Sequence, residues 1–185
     1  MEQKTAAVAE QGERTRRSRL SFYHANSKGA GTAVQFELRM NRGDEQRYDC
    51  CFLDIAHQKT VAAQGEGGRV PATFDWSRKA TVKLDFADIC EMLTVLEGRR
   101  EHMGNGQNGI YHETASASTL VSLKKNAEAG GYLLGVSRKR RDGEQLFKGH
   151  ILLSEAESVG LRCALQTTAF VLAFGISLGL SQAPQ

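Results

Sequence analysis

Phe74-Asp75-Trp76-Ser77-Arg78-Lys79-Ala80-Thr81-Val82-Lys83-Leu84-Asp85-Phe86-Ala87-Asp88-Ile89-Cys90-Glu91-Met92-Leu93 changes its period once along its length, and that change decides the fold. Ala80, Val82, Leu84 and Phe86 alternate with Thr81, Lys83 and Asp85, the pattern of a strand with one face buried. Beyond Phe86 the apolar residues Ile89, Met92, Leu93 and Leu96 fall on one helical stripe. Asp85 is placed to cap that helix, Asp88 suits its first turn, and Gly98 can end it. A strand therefore runs directly into a short amphipathic helix.

Upstream, Val34, Phe36, Leu38 and Met40 alternate with Gln35, Glu37 and Arg39 as a second strand. Tyr48 to His57 reads as a third, between an Asn41-Arg42-Gly43-Asp44 turn and a glycine-rich loop around Gly65, Gly67 and Gly68. Leu20 to Ala25 supplies a fourth. Downstream, strand signals recur at Ile110 to Ala115, Thr119 to Lys125, Tyr132 to Arg138 and Gln145 to Leu153, with Asp142-Gly143 as a turn. Ser154 and Glu157 then form a capping box, and a long helix follows to about Gly175 or beyond.

Both halves are thus four strands and a capped helix, and the predicted class is α+β with a ββββα-ββββα order. A single domain is expected over 18–180, its halves at about 18–100 and 108–180, with a disordered basic arm at 1–17 and a tail at 181–185. The second helix turns apolar all round after Cys163, with Leu165, Leu172 and Ile176 on one side and Phe170, Val171 and Phe174 on another. This predicts burial by its own sheet and by a partner subunit, with Leu165, Phe170, Leu172 and Phe174 at the oligomer interface. The apolar run from Ala169 to Leu180 is too short to span a bilayer, so no membrane partner is expected.

Among the 185 residues 41% are hydrophobic, enough for a real core, and the net charge of +3 permits an anionic partner without demanding one. Local charge says more: Arg14, Arg16, Arg17 and Arg19 crowd the start, and Arg138, Lys139, Arg140 and Arg141 form an unbroken cationic run. Cys50, Cys51, Cys90 and Cys163 include no CxxC pair, Glu2 and Glu10 argue against a targeting peptide, and a reduced cytoplasmic setting fits. His24, His57, His102, His112 and His150 show no metal-ligand spacing. Neither glycine cluster, Lys28 to Gly31 or Gly104 to Gly109, follows a strand and opens a helix as a phosphate-binding loop does. No catalytic, metal or cofactor site emerges, and a non-enzymatic role is expected.

What remains is a set of strands that mix cations with flat rings, which is what sequence-tolerant binding of single-stranded nucleic acid requires. The candidates are Tyr23 and His24 beside Lys28; Trp76 beside Arg78 and Lys79; Tyr111; and Tyr132 near Lys124, Lys125 and Arg138, with Lys139 and Arg140 continuing the cationic run. Lys28, Lys79, Lys124, Arg138 and Lys139 are expected to hold phosphates while Tyr23, Trp76, Tyr111 and Tyr132 stack bases.

The segment Phe74 to Lys79, followed by an alternating strand and a capped helix, resembles the Whirly family of single-stranded-DNA-binding proteins. The likeness continues through Thr81 to Gly98, Gly131-Tyr132-Leu133 and the closing helix, covering about residues 20 to 178. Ser27-Lys28-Gly29-Ala30-Gly31-Thr32-Ala33 is similar to that family's Lys-Gly-Lys-Ala-Ala-Leu motif, with Ala30 where the second lysine stands. The resemblance implies two antiparallel four-stranded sheets packed crosswise, helices that assemble a homotetramer, and single-stranded DNA along the sheet edges. It also implies roles in DNA repair, genome maintenance or transcription regulation, in a bacterial relative working near the nucleoid. RNA binding and annealing, as in the related guide-RNA-binding proteins of kinetoplastid mitochondria, is the first alternative. A protein-binding transcription-coregulator scaffold is the second.

Overall fold

In the computed structural model, residues 19–39, 50–65, 67–105 and 109–175 are described. Strands β1 (Arg19–His24), β2 (Thr32–Arg39) and β3 (Cys50–Thr60) pair antiparallel in that order. The glycine-rich region expected as a loop folds a small hairpin, β4 (Ala63–Gly65) with β5 (Gly68–Val70). A two-residue strand β6 (Thr73–Phe74) then pairs the far end of β3, and a 3-10 turn over Trp76–Arg78 leads to β7 (Ala80–Leu84) on β3's free side. Four long strands, β1-β2-β3-β7, therefore make the first sheet. Met40, the Asn41–Asp44 turn, Tyr48, Ile176 and the terminal segments lie outside the described residues.

Helix α1 (Phe86–Leu96) follows, then β8 (Ile110–Glu113), β9 (Ala117–Lys125), β10 (Tyr132–Arg140) and β11 (Gln145–Leu153), which form the second sheet in the order β11-β10-β9-β8. Helix α2 (Glu155–Phe174) closes the chain's described part. Each strand puts alternate side chains on an inner and an outer face. Leu20, Phe36, Leu53 and Val82 form one inner row across the first sheet, and Phe22, Val34, Ile55 and Ala80 the next. Leu123, Leu134 and Ile151 form the matching row of the second. These rows, with Ile89, Met92, Leu161 and Leu165 from the helices, make one buried cluster.

Both helices begin as expected. Asp85 accepts from the Asp88 amide while the Asp88 carboxylate accepts from Asp85 N–H, and Ser154 and Glu157 do the same for α2. Gly98 takes φ +73° just past α1 and Gly175 takes φ +60° at the end of α2, a left-handed conformation in which glycine avoids the Cβ clash. The two caps are also bound reciprocally: His24 of β1 meets Glu157 at 2.8 Å, and His112 of β8 lies 3.3 Å from Asp88. Each half's first strand thus sends a histidine to the other half's helix. Burial pushes the Glu157 carboxyl up, but hydrogen bonds from His24 and Ser154 outweigh it and hold the group below its ordinary value. Burial raises Asp88.

Helix α2 corrects one expectation. It is not apolar all round: Leu161, Leu165, Thr168 and Val171 are buried against the sheets, whereas Val159, Cys163, Phe170 and Phe174 face outward. Leu165, predicted at a subunit interface, is 1% exposed and belongs to the chain's own core. Leu172 is half-buried against the same core. At 3.6 residues per turn, Leu161, Leu165, Thr168 and Leu172 must share a side, which leaves Phe170 and Phe174, 5.0 Å apart, on the solvent side. Among the described residues, no helix is long and apolar enough to cross a membrane.

Candidate nucleic-acid interface

The outer face of the first sheet carries rings and charges in separate rows. Ala33 of β2 and Ala56 of β3 sit side by side in register with Tyr23 of β1. Their small side chains form a floor over which Tyr23 meets Phe74 at 5.6 Å and Trp76 edge-on at 6.4 Å. Tyr23 is 54% exposed, and its hydroxyl accepts from Gln35 Nε2 at 3.1 Å. Phe74, half-buried, was missed in the sequence because it is partnered with Tyr23 only by the pairing of β6 with β3.

Four cations of this region are matched to carboxylates, whereas Lys83, exposed on the same face beside Phe52, has no ion-pair partner among the described residues. Lys79 Nζ lies 2.5 Å from the buried Asp54, which also accepts from Thr81 Oγ1. Arg78 Nε donates to Asp75 at 2.5 Å, and Arg19 and Arg39 both bind Glu37. Hydrogen bonds from Ser77 and Arg78 drive the Asp75 carboxyl down to about 2. Burial opposes ionisation of Glu37, yet the two arginines hold it below its ordinary value. Lys79, a predicted phosphate ligand, and Arg78, a predicted nucleic-acid contact, are therefore each already paired with a carboxylate.

Lys28 stands exposed at the tip of the β1–β2 connection, whose shape is locked from below. Asn26 Oδ1 accepts the amides of Lys28 and Ala30, an Asx turn. Buried Gln58 accepts from the Asn26 and Gly31 amides and donates to the carbonyls of Asn26 and Thr60, satisfying every bond that its amide group can make in this loop. A Cβ on Gly31 would come within 2.2 Å of the His24 carbonyl oxygen, so only glycine lets the chain pass. His24, predicted to contact nucleic acid, is instead committed to Glu157.

The outer face of the second sheet is different. Lys124, Leu133 and Leu152 form one row, Ser122, Gly135 and His150 the next, then Leu120, Ser137 and Lys148, with Tyr111 beside Leu120. Lys139 sits opposite Ser118. Lys124, Lys139 and Lys148 are exposed, and none has an ion-pair partner among the described residues. Tyr111 is 54% exposed on edge strand β8, and Lys125 is exposed at the end of β9. At the far end, Glu113, Thr114, Ser118, Lys139, Arg140 and Arg141 line a recess of about 260 Å³. Arg140 there is paired with Glu144 and Asp142. Lys148 and His150 were absent from the sequence-based set, although their alternation with Phe147 and Gly149 put them on the exposed face.

Several predicted contacts do not lie on either outer face, Lys125 and His24 among them by register. Tyr132 opposes Lys125 and Leu153 on the inner face and is 7% exposed, so its ring packs in the core and cannot stack a base. Arg138 also starts on the inner face, between Thr119 and Phe147. Strand alternation puts them there with Leu134 and Val136.

No protein-family profile and no curated protein matches the sequence. Solved structures do. The plant transcriptional regulator PBF-2 superposes with a TM-score of 0.61 at 16% identity, covering 85% of this chain and 81% of that one. WHY1 from Arabidopsis thaliana gives 0.61 at 16% identity, over 85% and 84% of the two chains. The fold is Whirly-like. The same Whirly-like arrangement also matches MRP1/MRP2 of Trypanosoma brucei, with a TM-score of 0.56, 21% identity and coverage of 86% and 87%. A guide-RNA-binding protein complex bound to its RNA matches at 0.58 and 19% identity, over 86% and 95%.

Proposed function

We propose that this chain binds single-stranded nucleic acid, DNA in the first instance, with little sequence preference and without catalysis. The observation that carries the reading is the outer face of the second sheet, where Lys124, Lys139 and Lys148 lack carboxylate partners among the described residues and Tyr111 stands exposed on the edge strand. Unpaired lysines are free to replace the counterions of a phosphate chain, and flat rings accept any base. Tyr23 and Trp76 on the first sheet supply a second stacking platform beside the rigid loop that carries Lys28. The Whirly-like fold supports the reading. The outward Val159, Cys163, Phe170 and Phe174 of α2 favour self-association, a homotetramer in our reading. A bacterial cytoplasmic protein acting near the nucleoid, in DNA repair or transcription regulation, is the setting we propose.

RNA binding is the second reading, favoured by one observation: among the described residues, Tyr111 is the one exposed Tyr, Phe or Trp on the lysine-bearing face, and it stands at the edge. Nucleic acid held there through its backbone would leave bases open for annealing. Anisotropy titrations with mixed-sequence single-stranded DNA, single-stranded RNA and duplex DNA over a salt series test both. Binding to single strands that weakens steeply with salt is expected. Equal affinity for duplex, or indifference to salt, contradicts the proposal.

A further inference from the structure

At one end of the molecule the two sheets meet through a ring stack. His57, in register with Thr32 at the open end of the first sheet, stacks on Phe147 of β11 with ring centroids 4.7 Å apart and planes 24° apart. The stack needs Gly149, because a Cβ there would fall 2.9 Å from the Phe147 ring and 3.3 Å from His57 Cε1. Phe147 is buried beneath while His57 remains exposed, so one imidazole face is turned to solvent.

Arg138 stands directly opposite Phe147 across β10 and β11. Its Nε is buried and, among the described residues, has no hydrogen-bond partner, and no carboxylate there pairs with its guanidinium. Arginine carries several donors and no acceptor, and a buried donor left empty in a native fold is uncommon enough to require a cause. The β10–β11 register slips beside Arg138, with Leu146 of β11 extra between the Arg138–Phe147 and Lys139–Gln145 pairs, and Gln145 Nε2 donates to the Arg138 and Phe147 carbonyls across the bulge. Bulges of this kind re-aim a side chain and concentrate beside functional sites. Thr119, the partner of Arg138 on β9, adds a hydroxyl to the same spot.

We propose that this seam is a nucleotide-binding notch, in which Arg138 takes a phosphate and the adjoining base lies on the open face of His57. A guanidinium and a phosphate match in charge and in donor geometry, and a ring already fixed by Phe147 loses little freedom when a base covers it. The inference rests on the nucleic-acid reading above but uses residues on neither outer face.

The test uses the full chain labelled with nitrogen-15, following the His57 imidazole signals during titration with a short single-stranded oligodeoxynucleotide, a deoxynucleoside monophosphate, and inorganic phosphate. Saturable His57 shifts are expected with the first two and smaller ones with phosphate alone. Arg138→Met, which keeps the stem and removes every donor, should bind the oligonucleotide about tenfold more weakly with thermal stability kept or raised. Unchanged affinity in Arg138→Met together with unmoved His57 signals overturns the notch, even if mutation of the outer lysines abolishes binding. Should no oligonucleotide bind at any salt concentration, the proposed function fails by itself. The monophosphate then decides the notch, which stands if His57 shifts and falls if it does not.

Discussion

Each sheet is built on four main strands paired in chain order, yet the two outer faces use charge differently. On the first, Arg19, Arg39, Arg78 and Lys79 are each bound to Glu37, Asp75 or Asp54, and the exposed feature is the Tyr23–Phe74–Trp76 cluster. On the second, Lys124, Lys139 and Lys148 have no ion-pair partner among the described residues and stand over a floor of serine, glycine and leucine. A cation held by a neighbouring carboxylate must give up that partner before it takes a phosphate, while a solvated lysine only releases water and counterions. The ring cluster thus lies on the first face and three free lysines on the second, with Lys83 and Tyr111 as the exceptions, so the first is better suited to bases and the second to the backbone.

The sharpest challenge to that division is charge reversal. Lys139→Glu combined with Lys148→Glu should weaken single-strand binding about a hundredfold at moderate salt and flatten the salt dependence, as a fluorescence titration would record. The paired change Arg78→Ala with Lys79→Ala should alter affinity less than about threefold. If the two pairs of variants fall together, the faces are not divided. Next in size, Tyr23→Ala should cost about tenfold in affinity for unrelated sequences alike, through loss of one stacking ring. No loss would favour binding through the backbone alone.

A smaller and opposite effect is expected from Asp54→Asn, which frees Lys79: affinity at low salt should rise about twofold to threefold while thermal stability drops. The least effect is on pH dependence. Asp75, held near 2 against an ordinary 3.8, stabilises the segment that carries Trp76 at every pH above the ordinary value, and loses that contribution as pH falls toward 2. Thermal melts of Asp75→Asn should therefore show a shallower loss of stability over that acid range than the parent protein.

Much of the architecture was readable along the chain because it is periodic. Gln145 to Leu153 and both capping boxes fall where alternation and cap chemistry put them. β4 and β5 were missed because Gly65, Gly67 and Gly68 read as loop, and the hairpin has no apolar face to announce it. Among exposed residues, Tyr23, Tyr111, Lys28, Lys124 and Lys139 were singled out by residue type, whereas Lys148 was not. Tyr132 was misplaced although its alternation with Leu133 was visible, since period two separates faces without saying which is inner. The sidedness of α2 failed for a related reason: a helix rich in apolar residues hides its buried stripe until something packs on it.

Local order is what the amino-acid sequence determined alone: strand and helix positions, the caps and the turns, because hydrogen bonding and burial act over neighbouring residues. Which cations are free was decided only in three dimensions. Asp54 reaches Lys79 across 25 positions, His24 reaches Glu157 across 133, and His57 meets Phe147 only where two sheets converge. Electrostatic pairing depends on distance in space, which no periodicity encodes.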